Sequence, residues 1–182
     1  NLFMITAGTL LGTTTVGAIK ASQTIMGVTH IFFQAIENIM PVKASRYLYE
    51  SGVLAMKKYL MQASLLGLAF TLSLSVPVWI YSDVILSFLF GSSYQTHGII
   101  LRWFAVIYPI VFIGFPLRIG LRSMEFTFPI FFSYGLMAVF AVLSAVPLVK
   151  TWGGNGAMLG ILMVNLIMVS SLSIFLYQKS KQ

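Results

Sequence analysis

The residues that could do chemistry in this sequence are few, and most of them share one segment, residues 16–41. Polar or small side chains recur there at helical spacing: Lys20, Gln23, Thr24, Gly27, His30, Gln34, Glu37 and Asn38. At about 100° per residue, these positions fall within roughly 140° of one helix face. We call this face the polar row. A helix with such a face must direct it into a bundle interior or a water-filled cavity if the helix spans a membrane.

No set of residues is spaced for catalysis. The acidic residues are Glu37, Glu50, Asp83 and Glu125. General acid–base catalysis needs titratable groups within hydrogen-bond reach, whereas Lys20 and Glu37 would be about 26 Å apart along a straight helix. The sequence has no cysteine, and it has no metal-ligand spacing, phosphate-binding loop or nucleophile elbow. It predicts no catalytic residue, no metal site and no cofactor, and so a protein that is not an enzyme.

The composition is that of a membrane protein. Hydrophobic residues make up 58% of the 182 residues and charged residues 8%, and the mean hydropathy is +0.93. A soluble domain carries about 25% charged residues, so this composition excludes a soluble fold. The 11 basic residues outnumber 4 acidic ones and lie mainly between apolar runs, as orientation signals do. That placement argues against nucleic-acid binding.

The apolar runs predict an all-α integral membrane protein with about six transmembrane helices in one unit, residues 1–182. The expected spans are about residues 1–14 in part, 16–41, 59–81, 99–117, 126–149 and 157–177. Pro41 is expected to stop or kink the second span, and Pro109 or Pro116 to break the fourth. Residues 42–58 are expected to form a basic cytoplasmic loop, which could include a short interfacial helix. Because the chain starts inside an apolar run, we expect an upstream part of the protein to be absent.

Basic residues predict the orientation of these spans. Cytoplasmic loops are enriched in Lys and Arg, so the three basic segments and the C-terminus are expected in the cytoplasm. The outer turns carry only Lys150, with Arg102 at a border. The basic segments contain Lys43, Arg46, Lys57, Lys58, Arg118, Arg122, Lys179 and Lys181.

Each charged residue of the polar row has two interpretations. Lys20 could attract an anionic substrate or extend to the outer headgroups. His30, near mid-membrane, could line a substrate pathway or make an interhelical hydrogen bond. Glu37 and Asn38 could serve transport or bond to a neighbouring helix. The sequence alone leaves these alternatives open.

Two arginines outside the row are further candidates for the substrate pathway. Arg102 could face a lumen or lie at the membrane interface. Arg118 precedes Arg122 by one helical turn, and the two could capture a phosphate at the cytoplasmic mouth or serve only as orientation signals.

Several short motifs occur in the order and spacing of one transporter family. They are Leu11-Gly12 followed by Val16-Gly17-Ala18, Pro41 followed by Ala44-Ser45-Arg46, Leu89-Phe90-Gly91-Ser92-Ser93-Tyr94, and Gly153-Gly154-Asn155-Gly156-Ala157 before the last span. Over nearly the whole chain, these motifs resemble the C-terminal half of polysaccharide and O-antigen flippases. That family belongs to the multidrug/oligosaccharidyl-lipid/polysaccharide exporter superfamily.

The resemblance implies a bacterial inner-membrane protein of two six-helix lobes around a central cationic cavity. It implies that a polyprenyl-diphosphate-linked oligosaccharide moves to the outer leaflet by alternating access. This chain would be the second lobe, and the missing first lobe would be its partner. Lys20 and Arg102 would then neutralise the diphosphate, and Gln23, Gln34 and Asn38 would bond to sugar.

Three other functions stay open. A cation-coupled multidrug exporter of the same superfamily would need a buried acid to bind the coupling cation, for which Glu37 is the candidate. A membrane-embedded glycan polymerase or ligase would need a large outer loop, whereas the expected outer turns are short. A membrane scaffold without transport activity would pack its polar row tightly against other helices.

Overall fold

The computed structural model describes residues 2–179, except for the side chain of Gln95, and over this range the fold is all-α. Asn1, at the start of the first expected span, and Lys181, among the expected inner cations, lie outside the described residues. The five α-helices of this range are α1 (Leu2–Leu11), α2 (Thr13–Ile80), α3 (Ser82–Phe90), α4 (Gly98–Ser123) and α5 (Phe128–Lys179). A 3₁₀ helix, Ser92–His97, joins α3 to α4.

Helix α2 is a hairpin of two helical arms that meet at Gly52. A straight helix of its 68 residues would be about 100 Å long, but Gly52 has φ 82° and ψ −178°, a conformation that is essentially restricted to glycine. The arms, residues 13–51 and 53–80, then run antiparallel. The rings of Tyr47 and Tyr59 stack with centroids 5.0 Å apart, and those of Phe32 and Phe70 lie 4.0 Å apart.

Helix α5 has the same construction, with Gly153 at φ 57° and ψ −134°. Its arms, residues 128–152 and 154–179, lie side by side, and far from the reversal the hydroxyl of Ser171 donates to that of Ser133 at 2.7 Å. Close packing at the reversal also requires Gly156, because a Cβ at that position would overlap the carbonyl oxygen of Leu148.

Three of the helices, α2, α4 and α5, are long and apolar enough to cross a membrane, which indicates a multi-pass membrane protein. The prediction of about six spanning helices is therefore wrong for the described residues. The spans expected at 16–41 and 59–81 both belong to α2, and those at 126–149 and 157–177 both belong to α5. Helix α1 has 10 residues, too few to cross a bilayer. Each reversal takes a single glycine, so the helical pattern resumes without a loop.

The prolines do not end helices where the sequence predicted. Pro41 lies inside α2, and residues 42–51 continue the same helix, where the sequence predicted a loop with no more than a short interfacial helix. The next turn packs through Ala44 against the second arm of α2, and this contact offsets the backbone hydrogen bond that proline cannot donate. Pro109 and Pro116 likewise lie inside α4, which runs unbroken through both.

Helix α4 lies in the middle of the bundle, between α2 and α5. Its buried side chains Leu101 and Ile107 belong to one hydrophobic core together with Ile19 of α2 and Val149 of α5. The positions of α2 and α5 are therefore both fixed by α4.

The helix connections gather at two ends of this bundle. Near the Gly52 reversal, the hydroxyls of Ser45 and Ser123 are 3.3 Å apart, and the ammonium of Lys179 lies 5.5 Å from the ring of Phe126. We call this the basic end, since its cations are Lys43, Arg46, Lys57, Lys58, Arg118, Arg122 and Lys179. The other end contains three glycines with positive φ, and we call it the glycine end. They are Gly12, Gly91 and Gly153.

Candidate functional site

The polar row lies on the surface of the bundle and not in its interior. Helix α2 packs inward through a neighbouring face, on which Ser22, Met26, Thr29 and Phe33 are buried. Thr29 donates to a backbone carbonyl of its own helix, as small hydroxyl side chains can in apolar surroundings. Gln23 and Gly27 are half-buried, and the other members of the row are exposed: Lys20, Thr24, His30, Gln34, Glu37 and Asn38.

The charged and amide side chains of the row are free of polar partners within the part of the chain that the structure describes. Neither Lys20 nor Glu37 has an ion pair there, and the amides of Gln34 and Asn38 make no hydrogen bond. The ring of His30 packs edge-on against Phe33, with centroids 6.3 Å apart. These polar atoms are therefore available to water or to a ligand.

An aromatic cluster supports the row from behind. Phe33 is 1% exposed, and its ring centroid lies 5.2 Å from that of Phe115, 5.4 Å from that of Phe112 and 6.1 Å from that of Tyr108. These contacts join the first arm of α2 to the middle of α4. Rings packed edge to face or offset stabilise such a junction beyond the area they bury, so the backbone that carries His30 is firmly held.

Arg118 extends from the other side of this cluster towards α5. Its guanidinium carbon lies 4.6 Å from the centroid of the Phe115 ring. Its Nη1 donates to the hydroxyl of Tyr134 at 2.9 Å and contacts the sulfur of Met168 at 3.9 Å. No carboxylate in the described range pairs with it. Arg118 is thus a half-buried cation held by neutral groups, and its charge is not cancelled by a neighbouring acid.

Arg102 has a carboxylate partner that sequence reasoning missed. At the glycine end, its Nη2 forms an ion pair with Asp83, and its Nε donates to the hydroxyl of Ser82 at 2.8 Å. Helix α4 begins at Gly98 in close contact with the same carboxylate, since a Cβ there would overlap Asp83 Oδ1. The sequence offered one signal for this pair: Asp83 is the only acid between Glu50 and Glu125.

The candidate residues therefore form three groups. The polar row carries Lys20, Gln23, His30, Gln34, Glu37 and Asn38 along one exposed face. Arg118 is connected to that face through Phe115 and Phe33, whereas Arg102 is held at the opposite end by Asp83. Residues 2–179 contain no group of three His, Asp or Glu side chains that could hold a metal ion.

Comparison with protein-family models, curated proteins and solved structures finds no match. The resemblance to flippases therefore stays a prediction based on the motifs of the sequence.

Proposed function

We propose that this chain is one lobe of a flippase that moves a polyprenyl-diphosphate-linked oligosaccharide across the bacterial inner membrane by alternating access. Each arm of α2 and of α5 crosses the membrane once, and α4 crosses once. The basic end faces the cytoplasm, in keeping with the positive-inside rule. A second lobe faces the polar row.

The observation that carries this proposal is the exposure of the polar row. A polar side chain that faces lipid without a hydrogen-bond partner is costly, and His30 and Gln34 lie well inside the crossing. The row does not avoid this cost by packing inside the bundle, since both side chains are exposed. A water-filled cleft between two lobes removes the cost and gives the row a substrate to contact.

The residues then have distinct roles along the cleft. Lys20, near the glycine end, neutralises the diphosphate once the substrate reaches the outer leaflet, with Arg102 as a second cation when its pair with Asp83 opens. Gln23, Gln34 and Asn38 hydrogen-bond to sugar hydroxyls. Arg118 attracts the substrate at the basic end.

Cysteine accessibility distinguishes a water-filled cleft from a lipid-facing or tightly packed surface. The sequence has no cysteine, so single substitutions at positions 23, 27, 30 and 34 of the full-length protein give clean labels. A membrane-impermeant thiol reagent should modify them. Val28→Cys is the matched control, because Val28 is 64% exposed on the apolar flank of the same arm and should stay unmodified in lipid. Protection of all four row positions in every state would refute the cleft.

Export of the glycan is the second test. Replacing Lys20 and His30 together by leucine should abolish surface glycan while leaving membrane insertion intact. Lys150→Leu, which removes an exposed cation in the first arm of α5, is the control and should leave export unchanged. Undiminished export in the double variant would remove both residues from the pathway.

A cation-coupled multidrug exporter is the second candidate, because Glu37 has no ion-pair partner in the described range. Glu37 is exposed on the polar row, so it would be the buried acid of such an exporter only where the second lobe covers the row. Such an exporter needs an acid that binds and releases the coupling cation. Glu37→Gln should then abolish drug resistance in cells and leave glycan export unaffected. Glu50→Gln is the matched control, since Glu50 pairs with Arg46 at the tip of the α2 hairpin. Loss of glycan export in Glu37→Gln would favour the flippase instead.

A further inference from the structure

A cavity of about 520 Å³ opens at the basic end, between the end of α4 and the start of α5. Backbone hydrogen bonds build the turn beside it: the amide of Glu125 donates to the carbonyl of Arg122, and that of Phe126 donates to the carbonyl of Leu121, each at 2.9 Å. This pattern, with Glu125 at φ 55°, is a Schellman motif. It fixes the direction in which α5 leaves and so fixes the cavity. The lining residues are Arg122, Thr127, Phe128, Ile130, Phe131 and Tyr134.

The lining has a polar part and an apolar part. Arg122, Thr127 and Tyr134 supply a guanidinium and two hydroxyls, the donors that a phosphate group accepts from. Phe128 and Phe131 are 61% and 77% exposed and continue from the cavity along the outer face of α5. An amphiphilic molecule with a phosphate at one end and a hydrocarbon chain at the other matches this division.

Cations outnumber acids around the cavity. Glu50 is paired with Arg46 in the α2 hairpin, and Glu125, the acid nearest to Arg122 in sequence, forms no ion pair within residues 2–179. Arg118, one helical turn below Arg122, has only neutral partners. The basic end therefore has seven cations against the carboxylates of Glu50 and Glu125, and this excess of positive charge attracts anionic lipid headgroups.

Tyr134 couples Arg118 to the cavity. Its hydroxyl oxygen accepts from Arg118 Nη1 at 2.9 Å, which leaves the hydroxyl hydrogen free to donate to a ligand. A hydroxyl that accepts from a cation is polarised and becomes a stronger donor. Arg118 is thus a positioning residue for Tyr134, while Arg122 and Tyr134 are the groups that contact the ligand.

We propose that this cavity binds the phosphate group of a membrane lipid in the leaflet at the basic end. The phosphate lies between Arg122, Thr127 and Tyr134, and the hydrocarbon chain follows Phe128 and Phe131. The phosphate belongs either to an anionic phospholipid of the bilayer or to a polyprenyl diphosphate, and only the second source rests on the proposed function. The site does not use the polar row.

Lipid binding to the purified protein, followed by native mass spectrometry, tests the proposal. The probes are phosphatidylglycerol, phosphatidylcholine and a polyprenyl diphosphate, with inorganic phosphate as competitor. Phosphatidylglycerol should bind more tightly than phosphatidylcholine. Arg122→Gln should weaken the binding of phosphatidylglycerol about tenfold, as expected for loss of a hydrogen bond to a charged group. Lys58→Gln removes an exposed cation of the basic end that lies outside the cavity. It should change the affinity for phosphatidylglycerol by less than about twofold.

Tyr134→Phe keeps the ring and removes only the hydroxyl, so it tests the site even if the arginine variant does not fold. It should weaken phosphatidylglycerol binding about fivefold. Arg118→Gln should have a comparable effect in the native protein but almost none when combined with Tyr134→Phe, because Arg118 acts through that hydroxyl. A purely structural role for Arg118 would give additive effects.

The outcomes separate the sources and can overturn the proposal. Tighter binding of the polyprenyl diphosphate than of phosphatidylglycerol identifies a substrate site, and the reverse identifies a phospholipid site. Equal losses in Arg122→Gln and Lys58→Gln, or native binding in both Arg122→Gln and Tyr134→Phe, would refute the cavity as the site. None of these measurements involves transport, so failure of the flippase proposal would leave them valid.

Discussion

Gly52 provides the sharpest test of the fold, because its backbone alone makes α2 a hairpin. Its φ of 82° with ψ of −178° lies in a region that other residues occupy at a cost of up to about 3 kcal/mol. A Cβ at Gly52 would meet no atom within 4 Å, so Gly52→Ala changes conformational energy without a clash. Alanine also lowers the conformational entropy of the unfolded chain, which raises the free energy of unfolding by about 0.4 to 1 kcal/mol. The net expectation is a loss of about 2 kcal/mol of unfolding free energy.

Gly135→Ala is the matched control. Gly135 lies within the first arm of α5, and a Cβ there also meets nothing within 4 Å, but its backbone is helical. Alanine should therefore stabilise the protein by about 0.5 to 1 kcal/mol. The unfolding free energies of both variants are measured in mixed micelles by raising the fraction of sodium dodecyl sulfate. Helix content is the signal that follows unfolding. If the two alanine variants shift stability in the same direction, the reversal at Gly52 is not as described.

Three further predictions concern packing and the ion pair. A double-mutant cycle of Asp83→Asn and Arg102→Gln should show a coupling free energy of about 1 kcal/mol, since the pair is partly exposed. Additive effects in the same unfolding assay would show that the pair does not form. Phe33→Ala should lower the unfolding free energy by about 3 to 5 kcal/mol because the ring is fully packed. Phe88→Ala, whose ring is 85% exposed, should lower it by under about 1 kcal/mol. Similar losses in the two variants would contradict the aromatic cluster. Gly160→Ala should lower the unfolding free energy by about 1 to 3 kcal/mol, because the new methyl group overlaps a phenylalanine ring of α1. A stabilised variant would show that α1 does not pack there.

Hydropathy predicted most of the helical residues but not how they are divided into helices. The apolar runs cover most of α4 and α5 and the two ends of α2, since a backbone in an apolar medium must satisfy its polar groups within helices. The loop expected at residues 42–58 is instead helical on both sides of Gly52. Pro41 misled the prediction, since local propensity disfavours proline inside a helix whereas contacts between the two arms outweigh that preference. Only tertiary packing, which the sequence does not display, decides this balance.

The candidate site was predictable where it depended on one helix and not where it joined several. Helical periodicity placed the polar row on one face of α2, and the structure keeps that face outside the core. The same periodicity could not show that Arg102 meets Asp83, because the two residues belong to different helices and are brought together by the turn at Gly91. Arg118 and Tyr134 are likewise 16 residues apart. Side chains that meet across a helix connection depend on its geometry, which no periodic pattern encodes.

Arg118 is linked to both proposed sites, to the polar row only through Phe115 and Phe33 and to the cavity by a direct hydrogen bond, so it can distinguish one shared function from two. Its guanidinium rests on Phe115, which packs against Phe33 behind the polar row, and it also donates to Tyr134 at the cavity. If Arg118 attracts the transported substrate directly and polarises Tyr134 separately, then Arg118→Gln in the Tyr134→Phe background should still lower glycan export but should no longer lower phosphatidylglycerol binding. The lipid effect is transmitted through the missing hydroxyl, whereas the attraction of an anion to the guanidinium is not. Export and lipid binding that respond identically in this background would mean that Arg118 has a single role, and the separation of the two sites would then be wrong.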